Sequence, residues 1–138
     1  MHAIVKSTLG ALGVMALAVP ATAQTSKDPV LTAKIDDGLG TGNFTAVIQP
    51  AEGTMCYMLN VATYEPPVAA HIHEGAKGAN GDVVVPLATP ADGASGDCIS
   101  VGPDVAKAMV ADPADYYVNV HTKSFPAGAV RGQLTGAG

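Results

Sequence analysis

From Leu31 to Leu134 the chain is a succession of short β-prone runs, nearly all cut off by Gly, Pro, Asn or Asp before a long helix can form. The runs are Leu31–Ile35, Asn43–Gln49, Met55–Thr63, Val68–His73, Val83–Leu87, Cys98–Val101, Tyr116–Thr122 and Ala129–Leu134. Turn signals separate them at Asp37-Gly38, Pro50 to Gly53, Asn80-Gly81, Asp92-Gly93 and Pro126 to Gly128. Such spacing predicts an all-β fold, a Greek-key sandwich or barrel of about seven to nine strands. One short helix is expected after Pro103, which suits a first helical position. Asp104 favours its N-terminal turn and Asp112-Pro113 ends it. With no Trp and only two Phe, the core must rest on Val, Ile, Leu, Ala and the four Tyr.

The N-terminus carries a different signal. Lys6 precedes the uncharged apolar stretch Leu9 to Val19, and Ala21-Thr22-Ala23 has the small-x-small form of a cleavage site. This predicts a secretory signal peptide over residues 1–23. The alternative is an uncleaved anchor, for which the apolar stretch is short. Residues 24–30 are expected to be a flexible leader and 31–138 a single domain, in the periplasm or secreted. No membrane insertion is expected once the signal is removed. Loss of Lys6 would take the formal net charge from −5 to −6. An acidic surface with no basic run argues against nucleic acid and anionic lipid as partners. A homodimer is left open.

In an oxidising compartment the two cysteines, Cys56 and Cys98, are expected to pair. Thiolate metal binding is the alternative, but no Cys-x-x-Cys spacing supports it.

Beyond the leader the chain has three histidines. His71 and His73 stand two apart in Ala70-His71-Ile72-His73, and His121 lies in Val118-Asn119-Val120-His121. In a strand, residues two apart share a face, so both imidazoles of the pair point away from Ile72. The second strand likewise alternates Val118 and Val120 with Asn119 and His121. The apolar residues then face the core and the imidazoles the outside. Neutral imidazole is a favoured donor for copper, zinc, nickel and iron, so the three are candidate ligands of one transition metal, copper foremost. The plain alternative is surface histidines that hydrogen-bond. A haem would need only one or two of them as axial ligands. Metal binding is expected to weaken as the pH falls through about 6.5.

The runs Cys56 to Val61, Ala70 to Gly75, Asn80 to Val85, Tyr116 to Thr122 and Phe125 to Leu134 together resemble the CHRD domain. That domain was first named in chordin, a secreted developmental regulator, and also occurs alone in bacterial secreted proteins. The resemblance spans Leu31 to Leu134 and implies an extracellular module. A more distant resemblance is to the copper/zinc superoxide dismutases. There, a His-x-His pair and a late His bind copper on the outside of a Greek-key barrel, and His71, His73 and His121 fall in that order. No His lies between His73 and His121, so a zinc site of that type is excluded.

Around the histidines, Glu74 is a candidate acceptor for an imidazole N–H. Asn119 shares the face of His121. Arg131, the only arginine, is expected on that face too, either drawing small anions to a metal or pairing structurally with carboxylate or backbone carbonyls. Met58 is a candidate soft axial ligand. Tyr57, Tyr64 and Tyr117 are expected in the core or at its rim, and Asn80-Gly81 as a simple turn. No Ser–His–Asp order, paired-carboxylate motif, phosphate loop or zinc-protease motif is present. Three functions stay open: a metal-binding protein, a redox enzyme with copper or haem, and a non-catalytic interaction module.

Overall fold

The computed structural model describes residue 10, residues 13–18 and residues 27–137. The cleavage site expected at 21–23 lies outside the described residues. Eight strands follow in chain order: β1 (Val30–Asp36), β2 (Gly40–Gln49), β3 (Thr54–Thr63), β4 (Pro67–Glu74), β5 (Val83–Leu87), β6 (Ala94–Ser100), β7 (Tyr116–Thr122) and β8 (Val130–Ala137). All pair antiparallel, in the spatial order β5-β4-β7-β8-β1-β2-β3-β6. The β3–β6 and β4–β7 pairings skip intervening strands, which is the Greek-key signature. The sheet curls into a nearly closed barrel. At its open seam the Tyr57 hydroxyl accepts the Ala88 N–H at 2.7 Å.

Alternation explains why these runs form strands. Leu31, Ala33 and Ile35 on β1, Phe44, Ala46 and Ile48 on β2, and Met55, Tyr57, Leu59 and Val61 on β3 are buried, while most of their neighbours point outward. Ile72, Val85, Val118, Val120, Val130 and Leu134 complete the interior from the other half. The helix α1 (Pro103–Ala111) has Pro at its start and Asp104 in its first turn, as expected, and buries Ala106 and Met109.

Several boundaries differ from expectation, and β2 begins at Gly40 rather than Asn43 because it already pairs with β3 there. β6 begins at Ala94, not Cys98. Its sequence Ala-Ser-Gly-Asp has no apolar periodicity, and pairing of Asn60 with Ala94 and Cys56 with Cys98 defines it. β8 runs on to Ala137 because β1 pairs with it there. Val30, expected before the domain, already belongs to β1, and the Pro29 carbonyl accepts the Ile48 N–H at 2.9 Å. Among the described residues no helix is long and apolar enough to cross a membrane.

Cys56 and Cys98 form a disulfide across the paired strands β3 and β6. It closes a loop with a sequence separation of 42. β6 ends the hydrogen-bonded sheet order, with only β3 beside it, so the bridge fastens the strand least held by packing. Replacing both cysteines by serine is expected to cost about 2–4 kcal/mol, through release of the unfolded chain. A denaturant midpoint unchanged from the oxidised parent would contradict this.

Candidate metal centre

The histidines converge on the outer face of β4 and β7. In the β4–β7 ladder Ala69 faces His121, His71 faces Asn119 and His73 faces Tyr117, so His71 and His121 are diagonal neighbours. A bulge in the β4–β5 pairing falls between Ile72 and His73, the kind of irregularity that re-aims a side chain. The ring centroids of His71 lie 4.9 Å from His121 and 5.7 Å from His73. Taking one ring nitrogen from each residue, the three donor atoms lie within 4.8 Å of one another. A tetrahedral ion bound at about 2.0–2.1 Å would space its donors by roughly 3.3 Å, so small ring rotations suffice.

Backbone carbonyls dictate which nitrogens are offered. His73 Nδ1 lies 2.9 Å from the Gly81 carbonyl and His121 Nδ1 lies 2.9 Å from the Pro126 carbonyl. A carbonyl only accepts, so both Nδ1 atoms carry the proton and both Nε2 atoms present a lone pair. His71 Nδ1 sits 3.0 Å from His121 Nε2 and donates to it. His73 Nε2 is buried with no hydrogen-bond partner among the described residues. An unsatisfied buried acceptor costs about 1–3 kcal/mol, a cost that a bound cation would remove.

The expected outer face is not open to water. β7 is buried along its whole length, on both faces. His73 and His121 retain only 9% and 8% of their exposure, and His71 remains half-buried. Two connections are responsible, 75–82 after β4 and 123–129 after β7, and they are the same two that supply the Gly81 and Pro126 carbonyls.

Burial lowers the His71 pKa below the ordinary value, and the neighbouring His121 and His73 lower it further. Burial also lowers that of His121; the hydrogen bond to Pro126 opposes this, and His73 adds to the lowering. Both imidazoles therefore stay neutral further into acid than in the unfolded chain. Between the unfolded value near 6.5 and the lower folded values the unfolded state binds more protons, so metal-free stability falls as the pH drops through that window. Denaturant midpoints between pH 8 and pH 5 are expected to decline less in a His71→Gln/His121→Gln double variant than in the parent. Parallel profiles would count against it. Metal binding is likewise expected to persist somewhat below pH 6.5 rather than fail at it.

The remaining candidates separate clearly. Asn119 Nδ2 donates to the Ala127 carbonyl at 3.1 Å, so it braces the turn that carries Pro126. Gly128 makes room for it, since a Cβ there would lie 2.2 Å from Asn119 Oδ1. Glu74 is exposed, and the acceptor role expected of it falls to Gly81 and Pro126. Met58 does not join the site. It lies 56% exposed on β3, paired with Thr45 and Gly96, on strands that do not neighbour β4 or β7. Arg131 shares the outer face, but its guanidinium is bonded to the Ala79 carbonyl and Asn80 rather than free to draw anions. Tyr117, expected only as a packing residue, stacks on His73 with centroids 5.0 Å apart and planes 8° apart. The Gly81 and Pro126 carbonyls had no direct signal in the sequence, and the turn expected at Asn80-Gly81 falls instead at Lys77-Gly78, where Gly78 has positive φ and the Ala79 N–H donates to the Ala76 carbonyl at 2.9 Å.

A family model of the CHRD domain matches residues 18–134. No curated protein and no solved structure matches the chain, so the likeness to superoxide dismutases gains no support from comparison.

Proposed function

The chain belongs to the CHRD domain family, a domain of extracellular type, and from that premise we propose that it binds one transition-metal ion, copper foremost, through His71, His73 and His121. The observation that carries the reading is the buried, unpartnered His73 Nε2 within a three-histidine cluster whose donor atoms lie within 4.8 Å of one another, the His73 and His121 rings each held by a backbone carbonyl. Surface histidines with hydrogen-bonding roles do not need a hidden, unpartnered nitrogen. The cluster contains no carboxylate or thiolate, so calcium and magnesium are poorly matched. Among metals that accept imidazole, copper leads in affinity for a given nitrogen site. Three imidazoles gathered this closely suit an ion better than a haem, which takes one or two axial ligands. The role that follows is copper storage, delivery or detoxification in the periplasm or outside the cell, where a disulfide persists.

The test is a titration of the purified, disulfide-intact protein with Cu(II), and with Cu(I) under anaerobic conditions. One equivalent should bind, and the Cu(II) form should show nitrogen hyperfine structure in its electron-spin signal. Absence of stoichiometric uptake overturns the reading. A strong Soret band in protein from its native host would replace copper by haem.

A further inference from the structure

We propose that Arg131 and Tyr117 are positioning residues for His73, acting as a clamp that decides which nitrogen of that imidazole faces the metal. The proposal rests on the metal-binding reading above and assigns its control to residues that touch no ion.

Three groups close a ring. The His73 Nδ1–H donates to the Gly81 carbonyl at 2.9 Å. The Gly81 N–H donates to the Tyr117 hydroxyl at 3.1 Å. The Tyr117 ring lies flat against His73, with centroids 5.0 Å apart. Tyr117 is 1% exposed, so neither its ring nor its hydroxyl has another place to go. One residue of the 75–82 connection thus binds the ligand with its carbonyl and the ligand's stacking partner with its amide.

Arg131 closes this ring from outside. Its Nη1 donates to the Ala79 carbonyl at 2.8 Å and its Nη2 to Asn80 Oδ1 at 2.7 Å. Its Cζ stands 4.3 Å from the centre of the Tyr117 ring. Asp37 fixes the backbone beneath it by accepting the Arg131 N–H at 2.9 Å. The same plane therefore grips the two residues just before Gly81 and covers the aromatic ring under which His73 lies. Lysine cannot reproduce this: it has no planar fork and stacks less well. If the connection were released, the Gly81 carbonyl would leave Nδ1. The neutral imidazole would then be free to carry its proton on Nε2, the nitrogen meant for the metal.

The test uses the full disulfide-intact protein and the variants Arg131→Met, Arg131→Lys and Tyr117→Phe. Tyr117→Phe keeps the stack and deletes only the hydroxyl, which guards against an unfolded variant. Two readouts are taken. The first is copper affinity by chelator competition, expected to fall about 10- to 100-fold in Arg131→Met and Arg131→Lys, the range for lost partners of metal ligands. The second is the pair of His73 ring ¹⁵N shifts in the metal-free protein at alkaline pH, expected to move from an Nδ1-protonated pattern toward a mixture in all three variants. Wild-type affinity in Arg131→Lys would mean that charge alone matters and would overturn the clamp. Unchanged His73 shifts in folded variants would overturn it as well. If the wild-type protein takes up no copper yet the shifts move, the metal reading fails while the clamp stands.

Discussion

Replacing any one of His71, His73 and His121 by alanine is expected to lower copper affinity by more than about a hundredfold, since loss of a mere supporting partner already costs about 10- to 100-fold. The three substitutions should be comparable, because each ring contributes one of only three donors in the cluster. Two imidazoles leave an ion that must complete its shell with water. The fold should survive each change. The histidines lie outside the barrel interior, which is filled by Ile72, Val118, Val120 and their neighbours. His73→Ala also removes a buried unpartnered nitrogen, which offsets part of the cost of losing the bond to Gly81 and the stack on Tyr117, so the metal-free variant is expected to stay folded even as binding collapses. Chelator competition on the three variants beside the parent decides the matter. One decisive and two silent positions would point to a single axial ligand and contradict the shared site.

Much of this centre was legible from period alone. His71 and His73 flank Ile72, whose burial inside the barrel forces both imidazoles outward, and Val118 and Val120 do the same for His121. What alternation cannot supply is register. That His71 faces Asn119, so that His121 falls on the diagonal, depends on pairing between strands far apart in sequence. Nor does alternation distinguish an outer face in water from one roofed by connections. The burial of Asn119 and His121 follows from the 123–129 connection folding back, and nothing in the local sequence of β7 records it. Met58 and Glu74 were reasonable by residue type and wrong by place. Met58 points outward from a strand on the far side of the sheet order, and Glu74, one residue past His73 and so turned away from the imidazole face, is exposed because it is the last residue of β4. β6 was misjudged at its start for a related reason: small polar residues on an edge leave no pattern, and only the partner strand defines where pairing begins.

Gly81→Ala is expected to disable the centre without touching a histidine. A Cβ built on Gly81 would lie 1.5 Å from the Glu74 carbonyl oxygen and 2.6 Å from its carbon. Both are backbone atoms at the end of β4, where the Glu74 N–H is itself bonded to the Asp82 carbonyl at 3.0 Å. Neither side can yield cheaply, so the connection must lift away from the strand. The penalty is one of space rather than of backbone angle, because Gly81 is not among the glycines with positive φ. Lifting breaks two hydrogen bonds together, Gly81 to Tyr117 and His73 to Gly81. Each net bond is worth about 0.5–1.5 kcal/mol, and a buried group left unpaired adds about 1–3 kcal/mol. A stability loss of roughly 2–6 kcal/mol should therefore accompany a fall in copper affinity of about 10- to 100-fold. Gly136→Ala is the matched control. It too sits outside the positive-φ set, in β8, with nothing within 4 Å of the added carbon. It should leave stability and copper binding as they are. Equal behaviour of the two variants in denaturant and chelator titrations would mean that the 75–82 connection does not hold His73 in place.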